Sequence, residues 1–190
     1  MSAAKRELSC PGSDAGERPT FRALFEAEYL YVRRSLQRFG VRTTDIDDAA
    51  HDVFAAVHRH YEAYDPSRPI RPWLFAFVIR IAAKHKERAR RRRDRDDALT
   101  SDLMIDESPC AEAQLAAAQV RRFVLGALQH VAPERRSVLV LHELDEQPIP
   151  EIASALGIPL NTAYSRLRLA RADFRAVVAR LRASALDDLR

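Results

Sequence analysis

Pro150-Glu151-Ile152-Ala153-Ser154-Ala155-Leu156-Gly157-Ile158-Pro159-Leu160-Asn161-Thr162-Ala163-Tyr164-Ser165-Arg166-Leu167-Arg168 reads as two short helices joined by a tight glycine turn, the second rich in arginine. Pro150 suits a first helical position, Ile152, Ala153 and Leu156 make one apolar face, and Gly157 supplies a left-handed stop that a β-carbon would penalise. The helix after it keeps an inward stripe at Leu160, Ala163, Leu167, Ala170, Phe174, Val177 and Leu181. On the opposite side Asn161, Tyr164, Ser165, Arg168 and Arg171 point outward and offer amide, hydroxyl and guanidinium groups suited to base edges and phosphates. This is the layout of a DNA-reading helix-turn-helix. The same residues also fit a compact helical hairpin whose outer face is basic.

A chain of 190 residues with 47% apolar content has room for one domain or two small ones with packed cores. Its five glycines and few threonines give weak strand signals, so the expected fold is all-α. The net charge is only +4, but its distribution is uneven. Between Arg80 and Arg95 nine Lys/Arg face Glu87 and Asp94, a local +7 that leaves the remainder at −3. Such segregation points to a local polyanion contact rather than a uniformly basic surface. Cys10 and Cys110 are a hundred positions apart, without Cys/His spacing for zinc, and two lone thiols suit a reducing cytoplasm. The apolar run Trp73 to Ile79 is too short to span a bilayer, and Met1 to Thr20 lacks the apolar core of a signal peptide. The sequence therefore predicts a soluble, cytoplasmic protein with no membrane insertion.

Outward from the central motif, the chain divides into four parts. Residues 1 to 18, with Cys10-Pro11-Gly12-Ser13-Asp14, have turn chemistry and little to bury, and read as a flexible tail. A first helical domain, 19 to 93, opens with Phe21, Phe25, Tyr29, Val32, Leu36 and Phe39 at helical spacing before Gly40. Thr44 or Asp45 can cap the next helix, whose apolar face is Ile46, Ala49, Ala50, Val53, Phe54, Val57 and Tyr61. After a break at Tyr64 to Pro69, Pro72 starts a third helix that runs into the basic stretch. Residues 94 to 113 lose periodicity and turn acidic, as a flexible linker would. Residues 114 to 184 then form a second small helical domain: Val120, Phe123, Val124, Ala127, Leu128 and Val131 mark one helix, Pro133 opens another, and the helix-turn-helix completes it.

Two exposed features carry candidate chemistry. Arg80, Lys84 and Arg88 recur at fourfold spacing, which places a cationic stripe along a rigid helix suited to a nucleic-acid backbone; a solvated helix end favoured by the dipole is the alternative. Trp73 shares a face with Phe77 and Ile81 and so reads as core before stacking platform. In the second feature, Asp45, Asp47, Asp48 and Asp52 lie in a span, Thr43 to Val57, that has no Lys or Arg. A docking surface for a basic partner protein fits better than a metal site at Asp48, His51 and Asp52, which lacks a further ligand set. No phosphate loop, dinucleotide fingerprint, HExxH or Gly-x-Ser-x-Gly elbow is present, and the six histidines are scattered. Neither enzyme chemistry nor a cofactor is expected.

The order of parts is more specific than any one of them. The aromatic-started helix, Asp48-Ala49-Ala50-His51-Asp52-Val53-Phe54, Trp73-Leu74 leading into an Arg-rich end, a linker, Pro133-Glu134-Arg135-Arg136, and Glu151-Ile152-Ala153 to Ser165-Arg166-Leu167 resemble a bacterial sigma factor of the extracytoplasmic-function (ECF) type. The resemblance covers about residues 20 to 182, with domains like the family's regions two and four and no room for region three. It implies a subunit that binds core RNA polymerase and promoter DNA, with an anti-sigma protein as a candidate third partner. It further implies that Asp48, Asp52, Val53 and Phe54 dock on the polymerase clamp. Trp73 to Arg93, including Arg80, Lys84, Arg88 and Arg91, would open the minus-ten element. Asn161, Tyr164, Ser165 and Arg168 would read minus-thirty-five bases, and Thr162, Arg166 and Arg171 would hold its backbone. Arg80 and Lys84 stand where members often carry Asn and Asp, Asn161 where Gly is frequent and Tyr164 where Lys is frequent, which affects the promoter sequence read. Opening DNA costs roughly 1–2 kcal/mol per base step, which such a subunit offsets only when polymerase holds it in place. A stand-alone helix-turn-helix regulator is the alternative, disfavoured by the separate basic helix and acidic face.

Overall fold

The computed structural model describes residues 18–93 and 112–187. The tail before residue 18, Cys10, Cys110 and most of the 94–113 stretch lie outside the described residues. Seven α-helices follow in order: α1 Phe21–Arg38, α2 Ile46–His60, α3 Ile70–Arg93, α4 Glu112–Gln129, α5 Pro133–Leu139, α6 Ile149–Leu156 and α7 Leu160–Asp187. Short 3-10 turns at Thr43–Asp45 and Tyr61–Ala63 flank α2, and a π turn at Val140–Leu144 extends α5. Among the described residues there is no strand, as the composition predicts. No described helix is long and apolar enough to cross a membrane.

Helices α1 to α3 form the first half. The face predicted for α2 packs as read: Ile46, Ala49, Ala50, Val53, Phe54 and Val57 are all buried. In α1 the predicted stripe holds toward the C-terminal end, at Val32, Leu36 and the following Phe39, and shifts toward Leu24 at the N-terminal end. Leu24, Tyr31, Val32 and Leu36 are buried, whereas Phe25 is 38% exposed and faces the Phe54 ring at 4.7 Å from the flank of the helix. Thr20 caps α1 through its hydroxyl, which accepts from the Ala23 N–H. Asp45 occupies the N-cap of α2 without a side-chain cap bond. Arg18, on the tail side of the expected boundary, is held by the Glu62 carboxylate at 2.8 Å.

Helices α4 to α7 form the second half. Ala163, Leu167 and Ala170 of α7 are buried, but Leu160 at the helix start is 44% exposed and Val120 on α4 is 64% exposed, against the inward positions their spacing predicts. Leu160 opens α7 and Val120 stands midway along α4, and at both the helical period continues while the side chain is left exposed. Arg136 of α5 is fully buried. Its guanidinium donates to Gln129 Oε1 at 2.8 Å and to the Gln129 and Val131 carbonyls at 3.0 and 2.9 Å.

The two halves pack together, α4 on α1 and α6 on α3, and their buried apolar residues belong to one continuous cluster. A polar seam runs beside it. Asp145, which follows the π turn, has a side chain only 5% exposed, and its two oxygens accept from Arg38 at 2.6 Å and from the Tyr31 hydroxyl at 3.0 Å. The Arg136 guanidinium lies 5.5 Å from the Phe39 ring centre, and Gln129 Nε2 donates to the Arg38 carbonyl at 2.9 Å. Gly40 ends α1 at φ +78°, where an added Cβ would collide with the Gln129 carboxamide. Further along, Arg68 in the turn before α3 donates to Ser154 Oγ on α6 at 2.6 Å and approaches Glu151 at 3.8 Å.

Two glycines separate backbone conformation from packing. Gly157 sits at φ +64° and Gly126 in regular helix, and a Cβ at either meets nothing within 4 Å. Gly157→Ala should cost about 1–2 kcal/mol through its left-handed backbone alone. Gly126→Ala should instead stabilise by about 0.5–1 kcal/mol. Denaturant unfolding of both variants checks the opposite signs.

Candidate nucleic-acid interface

The helix-turn-helix closes as a Schellman turn: the Ile158 N–H donates to the Ala153 carbonyl at 3.0 Å and the Gly157 N–H to Ser154 at 3.2 Å. Pro150 stands in the first turn of α6, which begins one residue earlier. With Ala163, Leu167 and Ala170 fixed inward, helical geometry turns Asn161, Tyr164, Ser165, Arg168 and Arg171 to solvent, while Thr162 and Arg166 are half-buried at the edge. Tyr164 is 53% exposed. Ser165 Oγ donates to the Thr162 carbonyl at 2.9 Å, so its lone pairs remain available as acceptors. Arg171 is ion-paired with Glu143 of the π turn at 2.6 Å, a bond that a phosphate would have to replace. The exposed face therefore presents amide, phenol, hydroxyl and one guanidinium, Arg168, that no described carboxylate approaches within ion-pair distance.

Helix α3 carries the second cationic surface. Arg80, Lys84 and Arg88 are exposed along one side. Arg80 is steadied by the Phe77 ring, 4.9 Å from its centre, and by the Ala76 carbonyl at 3.1 Å. Arg88 comes within 4.0 Å of Asp52. Arg91 grips Glu87 at 2.9 Å, and hydrogen bonds from Arg90 and then Arg91 hold the Glu87 carboxyl below its ordinary range. Trp73 is half-buried with its ring centre 5.0 Å from both Tyr64 and Phe77, as its core-side spacing suggests. The turn before α3 is ordered by Asp65, which accepts from the Ser67 N–H at 3.0 Å and from its hydroxyl at 2.7 Å.

The acidic face of α2 divides in two. Asp48 is exposed, and Asp52 is half-buried, 3.1 Å from His85 Nε2. Val53 and Phe54 are 0% and 4% exposed; they anchor α2 to α1 from beneath and do not reach the surface. Asp48, His51 and Asp52 line a cleft of about 280 Å³ that Arg88 and Arg92 also enter. Among the described residues no group of three or more His, Cys, Asp or Glu is arranged to hold a metal ion. Sequence spacing missed Glu28, Arg38, Arg71, Arg136 and Asp145, whose partners lie on other helices. The signal present was a charge inside an apolar stripe, at Glu28 in α1 and at Arg136 ahead of Val138.

A helix-turn-helix joined to a second helical unit with its own basic helix is the architecture of a DNA-binding protein. The Sigma-70 region 2 family model matches residues 24–93 and the Sigma-70, region 4 model matches residues 124–174. RNA polymerase sigma factor CnrH of Cupriavidus metallidurans is 27% identical over 173 residues, covering 86% of this chain and 89% of the relative. ECF RNA polymerase sigma factor SigM of Mycobacterium tuberculosis is 28% identical over 159 residues, covering 83% and 76%. Among solved structures, CnrH in complex with the cytosolic domain of CnrY superposes with TM-score 0.60 at 24% identity, covering 86% of this chain and 90% of that one. The sigma factor RpoE of Bartonella quintana in complex with the anti-sigma factor NepR gives TM-score 0.65 at 15% identity, covering 84% and 96%. The chain belongs to the sigma-70 family, as an ECF-type RNA polymerase sigma factor. Its function is that of the family, binding core polymerase and directing it to promoters.

If the α3 stripe contacts phosphates, replacing Arg80, Lys84 and Arg88 together with Ala should flatten the slope of log affinity against log salt by about 2–2.7, at 0.7–0.9 per lost contact. Titration of forked promoter DNA with the polymerase-bound chain at several salt concentrations measures it.

Proposed function

We propose that the work of initiation is divided among three surfaces of this sigma factor. Asp48, with Asp52 beside it, forms the charged part of the surface that docks on core polymerase, and Val53 and Phe54 support that surface from inside. Arg80, Lys84, Arg88 and Arg91, with the turn before α3, hold the opened minus-ten element. Asn161, Tyr164, Ser165 and Arg168 read minus-thirty-five bases, while Thr162, Arg166 and Arg171 grip its backbone. The observation that carries this reading is the exposed polar face of α7, set opposite buried Ala163, Leu167 and Ala170.

The division follows from chemistry. Groups that reach base edges discriminate sequence, whereas phosphate contacts position the protein without choosing among promoters. The chain acts as a specificity subunit rather than an enzyme and works in the cytoplasm. An anti-sigma protein is a further partner we propose, since the solved relatives CnrH and RpoE are held in complexes with CnrY and the anti-sigma factor NepR. A regulator that works without polymerase is disfavoured, because such a protein has no use for a second DNA-binding surface beside an acidic helix.

Two measurements test the assignments. Asp48→Arg inverts an exposed charge without touching the core, and should weaken capture of core polymerase at least tenfold while leaving circular dichroism unchanged, roughly 1.4 kcal/mol or more. Undiminished capture would remove Asp48 from the docking surface. Arg168→Ala should cost about 1–3 kcal/mol at one base position and relax preference there. Transcription from a library of randomised minus-thirty-five elements reads the change, and an even drop across all sequences would reassign Arg168 to the backbone.

A further inference from the structure

Three cations outside the docking and DNA surfaces share one recess. It lies between the turn that follows α1, the C-terminal half of α3 and the turn from α4 to α5, and encloses about 590 Å³. Phe39, Val41, Ile79 and Ala82 give it apolar walls, and Arg42, Lys86 and Arg136 line it as well. The Arg42 Nε is shut off from solvent and finds no hydrogen-bond partner among the described residues. A buried charged donor in that state costs stability unless something accepts from it. Arg136 directs four hydrogen bonds to oxygens of Gln129 and Val131, one fewer than the five a guanidinium can give, and no described carboxylate lies within ion-pair distance of it. Lys86, exposed in part, likewise has no described carboxylate within that distance. Partial burial, and then the charge of Arg136, push its ammonium below the ordinary range. The acids on the lining do not offset these charges: Glu87 is taken by Arg90 and Arg91, which leaves Asp45 alone.

We propose that this recess is a binding site for a small amphipathic anion, whose aliphatic or aromatic body fills the apolar walls and whose single anionic head meets Arg42, Lys86 and Arg136. Size and charge together select that class. The volume falls in the range of about 300–1,000 Å³ usual for small-molecule sites. A lone inorganic anion would leave most of it to water lying against apolar walls. A neutral apolar ligand would fill the walls but take the three cations further from water without an acceptor. A nucleic-acid backbone has no apolar part to match Phe39 and Ile79, and the exposed basic faces of α3 and α7 suit it better. Ala83 and Pro133, also on the lining, are exposed, so the recess is open to an entering ligand. None of the three cations belongs to the surfaces assigned above to polymerase or promoter, so the site stands or falls independently of them.

The test titrates the full chain with anilinonaphthalene sulfonate, an aromatic sulfonate whose fluorescence rises and shifts to the blue in an apolar site. One saturable site is expected. Decanoate should displace the dye, whereas decanol, which has the chain without the charge, and inorganic phosphate, which has the charge without the chain, should need at least about tenfold higher concentration. Arg42→Gln and Lys86→Met each remove one charge-assisted contact and should weaken dye and decanoate about tenfold. Ala83→Trp, which sets a ring on the lining from an exposed position, should abolish both. Arg59→Gln removes an exposed cation of α2 that is not on the lining, and should change neither. Arg136 is left in place because the fold rests on it. Circular dichroism verifies that each variant is folded, and Lys86→Met decides the matter if Arg42→Gln is not. Undiminished binding in either folded charge variant overturns the proposal, since the dye then sits elsewhere. Displacement by decanol as strong as by decanoate overturns it too, because the recess is then only an apolar gap, and so does the absence of saturable dye binding.

Discussion

The Arg136 guanidinium is the group on which the packing of the second half, and its seat on the first, depends. It is a buried cation with no carboxylate partner among the described residues, and burial pushes its pKa down to about 10, still charged at neutral pH. Because the folded value lies below the unfolded one, that cost is constant below about pH 10 and is relieved only above it, so it adds no pH dependence in the neutral range. What makes the charge tolerable is a set of oxygens aimed at it by the turn between α4 and α5: the Gln129 side chain and the Gln129 and Val131 carbonyls. Those same bonds orient Gln129, which in turn donates to the end of α1. One desolvated cation thus organises a helix turn, a side-chain amide and a domain contact.

That dependence explains which parts of the molecule were legible in the chain. Local rules sufficed for the helix-turn-helix, because Gly157, the apolar face of α6 and the Ala163, Leu167, Ala170 stripe are all set within one or two turns. They sufficed for α2, whose face is unbroken. They failed where the answer depends on what covers a residue. Val120, midway along α4, and Leu160, at the start of α7, keep the helical period but are left exposed, and Phe25 is displaced to the flank because Leu24, Tyr31 and Val32 take the interior. The resemblance places Val53 and Phe54 on a docking surface, whereas both are buried in the fold and can only support the proposed surface from inside. Asp145 and Arg38 are 107 positions apart, and no spacing pattern connects them.

The functional surfaces share a common economy. Each cationic group proposed to meet DNA either has no described carboxylate within ion-pair distance, as with Arg168 and Lys84, or is held by an acid that solvent reaches, as Arg171 is by Glu143, Arg91 by Glu87 and Arg88 by Asp52. Exposed ion pairs are worth little in water, about 0–1 kcal/mol, so they orient a guanidinium without withholding it. Less exposed pairs behave otherwise, and the most enclosed of those described, Arg38 with Asp145, lies at the seam.

Gly40 carries two separate demands. Its backbone is left-handed, and the space where a β-carbon would stand is taken by Gln129, a residue 89 positions later. A side chain there would strain its own turn and also dislodge the amide that satisfies Arg136. In a lineage of such proteins, a smaller residue at position 129 would lift only the second demand, and the left-handed turn would still hold position 40 to glycine. A change at position 40 is therefore doubly barred, once by its own backbone and once by a side chain from the other half of the molecule.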